Sequence, residues 1–435
     1  MHKFYFKKDT LIRIEHFWIL LLTLDWRRFS IWNEFKPILT HIHWWNIDLL
    51  LKFGKKIWET KIVRLIEALV EKWILIYSLK KINSKLRIIE NDFISNDCLS
   101  FPRTVYWELT QSCNLECIHC YSNSMVKWFK WLDFDTIKKT IDELIDKWVE
   151  FLNIWWWEPL MYKDLYKTLD YAISGWLVIE MTTNWTLIGE ESIKKLKQVW
   201  MKFIQISLDW SCKEIYEKIR KKSDFDKVIN SIKLLIASWF VVSINTVLMK
   251  HNKDDIINII KLCNSLWVSY FKVSPLMETW RWFTNMDNIQ LSLIEYKKIY
   301  KTLLKYKKDH WSDAIKIIIY QNILKPDVKN INWMPKEHFW CPAWRTTCWI
   351  DPYWNVYPCS YMNQKELSCG NIKEQSLSDI WSKSEIMANI RNIDKISWKC
   401  SHCKFLDLCR WWCRAMAYLR YKKIDATDPL CVVNL

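Results

Sequence analysis

Four glycines in a chain of 435 residues leave almost no position free to take a left-handed backbone, yet the same chain carries 32 tryptophans. Average usage of about 7% would supply about 30 glycines, and helix ends and tight turns need them, because a β-carbon is strained at positive φ. The positions of the tryptophans account for the deficit. Trp73 in VEKWILI, Trp148 in DKWVEFL, Trp200 in KQVWMKF, Trp239 in ASWFVVS and Trp267 in NSLWVSY all stand where a helical pattern gives way to a strand. That is the C′ position, which often needs a left-handed residue. The comparable junction AISGWLV keeps Gly175, and Trp354 fills the turn of DPYWNV, another place that favours glycine. Most of these tryptophans therefore read as glycines of the functional protein, encoded by UGA in an organism that decodes UGA as glycine. Trp107 in VYWELT and Trp381 in LSDIWSKS need no glycine and read as true tryptophan. UGG codons at Trp155, Trp156 and Trp157 would end this reading.

A chain of this length predicts two or three domains, each with its own core. The formal charge of +16 would suit a polyanion, but lysine is dispersed through Ile- and Asn-rich stretches instead of gathered in one block. Nucleic acid is thus not the expected partner. The N-terminus, MHKFYFKKDTLIRIEHF, lacks the order of a signal peptide, and the apolar run Phe17 to Leu24 stops at Asp25. No apolar stretch approaches the roughly 20 residues that cross a bilayer, so a cytoplasmic protein without a membrane partner is expected. Fifteen cysteines in a reducing compartment point to metal more than to disulfides.

From residue 101 short β-type runs alternate with helical patterns: VYWELT (105 to 110), FLNIWW (151 to 156), LVIEMTTN (177 to 184), FIQISLD (203 to 209), FVVSINTVL (240 to 248) and YFKVSPL (270 to 276). Between the first two lies an amphipathic helix, Phe134 to Trp148, with Asp133 as its expected cap. Six βα units imply a parallel α/β sheet with right-handed crossovers, closed or partly closed into a barrel, whose chemistry gathers at the C-terminal strand ends. Residues 1–80 read as a small module: two β-runs (Ile12 to Ile14 and Phe17 to Leu24), helical patterns at 33–42 and 60–72, then a strand at Ile74 to Tyr77. Residues 81–100 read as a polar linker. The barrel occupies 101–320, with helical segments from 285 to about 325, and a cysteine-dense tail occupies 321–435. That tail has little periodic apolar pattern and would need metal to hold it together.

The loop after the first strand holds Cys113-Asn-Leu-Glu-Cys117-Ile-His-Cys120. Three thiolates at this spacing can bind three irons of a [4Fe-4S] cube and leave the fourth open. A zinc site completed by His119 is the alternative. The tail holds Cys341, Cys348 and Cys359, then Cys400-x2-Cys403-x5-Cys409-x3-Cys413, then Cys431: eight thiols, or two sets of four. A zinc ribbon using the CxxC pair is the alternative there. Cys98, Cys212 and Cys263 have no partners at useful spacing and read as ordinary small apolar residues.

The CxxxCxxC motif, with Tyr121 directly after it, resembles the signature of the radical S-adenosylmethionine superfamily. The resemblance covers roughly residues 101–435 and implies a partial (β/α)6 barrel. Trp155-Trp156-Trp157-Glu158-Pro159 stands where that family has a GGEP turn, which implies that Glu158 holds the amino group of the cofactor's methionine moiety. Asn184 in TTNW resembles the family's TNG, and Ser207, Leu208 and Asp209 in SLDW its SLDG, both placed near the cofactor's ribose. Arg220 is the implied partner of the cofactor carboxylate and Asn245 a further polar contact. Literal indoles at 155–157 would fill the methionine's space and imply a dead enzyme.

The tail resembles the SPASM extension of radical enzymes, with Trp354 in its glycine slot and Trp411-Trp412 where that family often has Gly-Gly. By this resemblance Cys341, Cys348, Cys359 and Cys413 hold one auxiliary [4Fe-4S] cluster, and Cys400, Cys403, Cys409 and Cys431 the other; Cys369 lies close enough to replace Cys348. Some peptide-oxidising relatives have an acidic residue directly after the third tail cysteine. Here it is Ser360, which leaves the catalytic base unknown; Asp351 and Glu366 are near in sequence only. With tryptophan read as glycine, residues 17–35 and the helices after them resemble the small winged-helix-like precursor-recognition domain of ribosomal peptide maturation, as in pyrroloquinoline quinone assembly. The alternative is an unrelated winged-helix cap.

Together these resemblances imply an oxidoreductase that cleaves S-adenosylmethionine reductively to a 5′-deoxyadenosyl radical and oxidises or crosslinks a ribosomally made peptide or protein. They further imply a flavodoxin- or ferredoxin-like electron donor. A radical enzyme acting on a small molecule such as a tetrapyrrole is the first alternative. A non-enzymatic metal-binding protein is the second, should the tryptophans be literal.

Overall fold

The computed structural model describes residues 98–120, 133–155, 157–277, 289–310, 315–319, 341–392, 398–403, 406–409 and 413–431, together with six strands before residue 98. The chain divides into two compact units, 1–100 and 101–435. In the first, β2 (Leu11–Ile14), β3 (Trp18–Leu22) and β4 (Arg28–Trp32) form an antiparallel meander. β6 (Arg87–Ile89) adds parallel to β2, and β1 (Lys3–Phe6) pairs antiparallel with β5 (Leu75–Ser78). β6 falls inside the stretch expected to be an aperiodic linker: Ile88 and Ile89 supply a run too short for a periodicity argument. The helical patterns expected at 33–42 and 60–72, and Trp73, lie outside the described residues.

The second unit is built on one ten-stranded sheet of order β13-β12-β11-β10-β9-β8-β7-β14-β15-β16. Its six expected parallel strands are β7 (Thr104–Trp107), β8 (Phe151–Ile154), β9 (Val178–Thr183), β10 (Phe203–Ser207), β11 (Val241–Leu248) and β12 (Tyr270–Pro275). β13 (Lys316–Ile319) is a seventh, parallel to β12, inside a stretch expected to be helical. Three consecutive isoleucines in KIII favour a strand, while the helical pattern belongs to the preceding α7 (Leu293–Asp309), which opens on a Ser292/Glu295 capping box. The crossover helices are α1 (Phe134–Asp146), α2 (Leu165–Ser174), α3 (Glu190–Gln198), α4 (Lys213–Ile219), α5 (Phe225–Ala237) and α6 (Ile256–Ser265). Asp133 caps α1 as expected, its carboxylate accepting from Thr136 N at 2.8 Å.

The tail does not stand apart. β14 (Thr347–Ile350) pairs parallel with β7, and β15 (Asn355–Tyr357) and β16 (Gly370–Asn371) continue the sheet antiparallel. It also contributes most of an apolar cluster, including Trp344, Met362, Leu367, Ile390 and Met416, that the sequence pattern did not show. The side chains come from the turns between residues 343 and 367, from α9 (Glu385–Arg391), which follows α8 (Leu377–Lys383), and from α11 (Arg414–Tyr421), where no single period reveals them.

Among the described residues eleven non-glycines have positive φ, and nine of them are tryptophan: 148, 157, 176, 185, 200, 239, 267, 344 and 354. Five terminate helices in one repeated geometry. After α1, Trp148 N donates to Ile145 O and Val149 N to Leu144 O. The same pair of bonds follows α2 at Trp176, α3 at Trp200, α5 at Trp239 and α6 at Trp267. This is the Schellman motif, whose left-handed C′ residue is ordinarily glycine. The residue after each tryptophan is buried (Val149, Leu177, Met201, Phe240, Val268), so the motif aims the chain into the next strand. The indoles do little: those of Trp200, Trp239 and Trp267 are 76%, 91% and 75% exposed. At the second junction the expectation was one residue off, because Gly175 is the C-cap at φ −84° and Trp176 is the left-handed residue at φ 78°. Trp107 and Trp381 are fully buried and not among the positive-φ residues, as expected of true tryptophan.

In the chain as written, Trp200→Gly, Trp239→Gly and Trp267→Gly should each stabilise the fold, by about 1 kcal/mol per relieved left-handed residue. Urea unfolding checks this, with Trp107→Gly as the contrasting variant that should destabilise.

Candidate functional site

The C-terminal ends of β7 to β12 converge on a cavity of about 170 Å³. Cys113, Cys117 and Cys120 line it, as do Asn184, Ser207, Arg220 and Asn245. The sequence-separated candidates thus line one cavity. Tyr121 lies outside the described residues. The cavity is small beside the ~300–1,000 Å³ of ordinary small-molecule sites, and Trp155 and Trp157 are part of its lining. Trp157 has φ 56°, a glycine conformation at the third position of the WWWEP turn, and its indole donates to the buried Glu108 at 3.0 Å. Burial raises the Glu108 carboxyl well above the usual carboxylate range.

The cysteine loop is fixed from below. Glu116 N donates to Lys221 O and Ile118 N to Ile219 O, tying it to the end of α4. Asp209, just past β10, accepts from Arg220 Nε at 2.7 Å, from Arg220 Nη2 at 2.6 Å and from Val247 N at 2.9 Å, and lies 3.2 Å from His119 Nε2. Burial pushes its carboxyl up, but Arg220 and His119 outweigh that and hold it well below the ordinary range. Asp209, which the SLDW resemblance places near the cofactor's ribose, is wholly buried and is not part of the cavity lining; its acceptors serve the loop and β11. Arg220, expected at the cofactor carboxylate, is engaged by Asp209, although its Nη1 also reaches Cys117 Sγ at 3.7 Å.

Asn184 works similarly on the other side. Its Nδ2 lies 3.6 Å from Cys113 Sγ and 2.9 Å from Asn114 Oδ1, while Asn114 Nδ2 donates to Thr186 Oγ1 at 2.6 Å. Donors aimed at two of the three sulfurs suit thiolates bound to iron. Burial, the largest effect, lifts Cys113 to about 11 and Cys117 to about 12, so metal must displace protons to bind there. Donor type, shared cavity and hydrogen bonding all fit a three-thiolate cluster.

Glu158 does not reach the cavity. Its carboxylate is fully buried and accepts from Thr183 Oγ1 (2.7 and 2.8 Å), Asn184 N (2.9 Å) and Leu160 N (3.1 Å). The indoles of Trp155 and Trp157, and not Glu158, form the wall on this side. Asn245 and Ser207 do face the cavity, with Asn245 Oδ1 accepting from Ser274 Oγ at 2.8 Å. Sequence reasoning missed Thr182, Ser274, Met277 and Tyr361 in the lining. Strand alternation could have found the first two, which share a face with Asn184 and with Lys272; Tyr361, two residues past Cys359, carried no such signal.

In the tail, Cys341, Cys359 and Cys413 pack against the same apolar cluster. Cys348 is fully buried in β14, within electrostatic reach of Cys369, Arg391 and Glu143; Cys369 is within reach of Cys359 as well. Cys400 lies near Cys403 and Cys431, and Cys409 ends the short α10 (Leu406–Cys409). Neither tail carboxylate faces the cavity. Asp351 accepts from Tyr353 N, Asn355 N and Asn355 Nδ2 to close the β14–β15 turn around Trp354 (φ 74°), and Glu366 accepts from Tyr418 Oη at 2.6 Å.

Burial raises Glu158 from 4.5 to about 7, against the lowering effect of its three donors. The folded state therefore binds the extra proton between those values, and stability falls as pH rises from about 4.5 to about 7, by up to about 3 kcal/mol. Glu158→Gln should lack this slope, measured as the difference in urea-unfolding free energy between pH 5 and pH 7.

Comparison with known proteins agrees with this site. The radical SAM superfamily matches residues 107–263, and the SPASM iron–sulfur cluster-binding domain matches residues 341–404. An AdoMet-dependent heme synthase of Methanosarcina barkeri is 27% identical over 344 residues, covering 76% of this chain and 96% of that protein. Mycofactocin maturase MftC of Mycolicibacterium smegmatis is 27% identical over 337 residues, covering 77% of this chain and 83% of its own. Among solved structures, Streptococcus suis SuiB superposes with a TM-score of 0.71 at 19% identity, covering 98% of this chain and 99% of its own. No helix among the described residues is long and apolar enough to cross a membrane. With its cysteine loop at the mouth of a partial barrel and a cysteine-rich extension on the same sheet, the chain belongs to the radical SAM enzymes that carry a SPASM domain, which use [4Fe-4S] clusters and S-adenosylmethionine.

Proposed function

We propose that this enzyme modifies a ribosomally made peptide or protein by oxidation or crosslinking, and that the tryptophans at its left-handed positions are decoded as glycine in the producing organism. The observation that carries the first part is coverage. The SuiB fold spans 98% of this chain, whereas the sequence matches to the heme synthase and to the mycofactocin maturase each leave about a quarter of it without a counterpart. SuiB has also been solved with its precursor peptide SuiA, and it superposes in that state at a TM-score of 0.69. Among the described residues the β2-β3-β4 meander of the first unit ends in an edge strand, β4, of the kind to which an extended leader peptide adds.

Cys113, Cys117 and Cys120 would hold the cluster that, once reduced, cleaves S-adenosylmethionine to a 5′-deoxyadenosyl radical. The chain's own contribution is orientation and exclusion of water. Asn184 and Arg220 donate toward Cys113 and Cys117, Ser207 and Asn245 add polar groups to the same cavity, and Leu276 and Met277 add apolar lining. Glycine at 155 and 157 would empty the part of the cavity that the indoles now fill. In the tail, Cys341, Cys359 and Cys413 with Cys348 or Cys369 would hold one auxiliary cluster and Cys400, Cys403, Cys409 and Cys431 the other, ready to accept the electron released as product forms. A flavodoxin- or ferredoxin-type protein is the proposed donor. The second reading, a small-molecule enzyme, is favoured by the heme synthase match, which covers 96% of that protein.

Anaerobic reconstitution of the glycine-restored protein should give about twelve irons per chain, from three four-iron clusters, and deoxyadenosine under reducing conditions; Cys113→Ala should abolish the deoxyadenosine while leaving about eight irons. Removal of residues 1–80 separates the two readings. A peptide enzyme should keep deoxyadenosine formation but lose modification of the precursor encoded beside its gene, whereas a small-molecule enzyme should keep its full activity.

A further inference from the structure

We propose that Asp428 is a strut shared by the two auxiliary sites, a positioning residue whose one buried carboxylate and one turn fix thiols of both sets. The inference rests on the reading that the tail holds two clusters. Asp428 is 6% exposed. Its Oδ2 accepts from Cys413 N at 3.2 Å, which anchors a thiol of the first set at the start of α11. Its Oδ1 accepts from Leu430 N at 2.8 Å and its backbone carbonyl from Cys431 N at 2.9 Å, closing a turn that presents a thiol of the second set. The preceding residue completes the arrangement, with Thr427 Oγ1 3.4 Å from Cys400 Sγ.

Residues 427 to 431 thus touch both sets, and Asp428 holds the first through its carboxylate and the second through the turn its carboxylate and carbonyl close. Electrostatics agrees with geometry: the Asp428 charge acts on Cys341 and Cys413 of the first set and on Cys400 of the second. Both carboxylate oxygens are committed to main-chain donors, so the residue orients ligands instead of serving as one. A negative charge held beside two clusters also opposes electron entry into each, and so lowers both potentials together.

Asn is the informative replacement. It keeps an acceptor for Leu430 N, removes the charge and cannot accept from Cys413 N through its amide nitrogen. The test is iron counting, electron paramagnetic resonance and potentiometry on the reconstituted full chain. About four irons in the unsubstituted protein would end the two-cluster reading before Asp428 is tested. Given about twelve, Asp428→Asn should shift both auxiliary potentials upward and leave the third cluster unmoved, and Asp428→Ala should lose both auxiliary clusters together, leaving about four irons. The surviving third cluster reports that the barrel has folded. Loss of one auxiliary cluster alone, or unchanged potentials for either in Asp428→Asn, would overturn the proposal.

Discussion

The geometry of this enzyme turns on a buried carboxylate that lies behind the cavity and not in its lining. Asp209 sits just beyond a central strand and gathers Arg220, His119 and the main chain of Val247 onto two oxygens. Each partner comes from a different element: the end of α4, the cysteine loop and β11. Removing charge from water is costly, and it is tolerated here because the pair is complete and hydrogen-bonded. The reward is placement. A loop with three cysteines and little secondary structure of its own is held at a fixed height over the strand ends, with Arg220 close enough to reach a sulfur.

The parallel sheet was legible because its strands are apolar runs bounded by amphipathic helices, and the period switches cleanly between them. Phe151–Ile154 and Val178–Thr183 fall within the runs FLNIWW and LVIEMTTN that flank the expected helices. Two parts were not legible, for different reasons. β14 and β15 are short and sit among cysteines and turn residues, so nothing local says that Cys348 pairs beside Val105 of the first strand. That pairing spans more than two hundred residues and is decided by sheet-edge hydrogen bonding, to which sequence pattern is blind. The orientation of Asp209 and Glu158 was not legible, because a motif names residues without saying where their carboxylates point. Both are buried, and both spend their acceptors on neighbouring main chain and side chains.

The tryptophans divide by backbone geometry, not by burial. Trp185 is fully buried and Trp239 almost fully exposed, yet both hold a left-handed φ near 65° to 70°. An indole has no reason to prefer that conformation, whereas glycine reaches it without strain. The repeated Schellman geometry makes the argument independent of any one site, since its two hydrogen bonds require the left-handed residue whatever side chain the residue bears.

That constraint reaches the chemistry through Trp157. The residue is left-handed, lines the cavity and covers Glu108, so one position joins the decoding question to the question of what fits beside the cysteines. With a β-carbon and indole there, the cavity is smaller than a nucleoside cofactor needs. With glycine, the backbone conformation is unchanged, because φ is set by the turn, but the wall recedes and Glu108 loses the Trp157 donor. A carboxyl already raised by burial would then face the enlarged space. The same substitution that admits the cofactor therefore also changes the polarity of the wall it meets, and an account of the site that treats residue 157 as filler alone would miss the second effect.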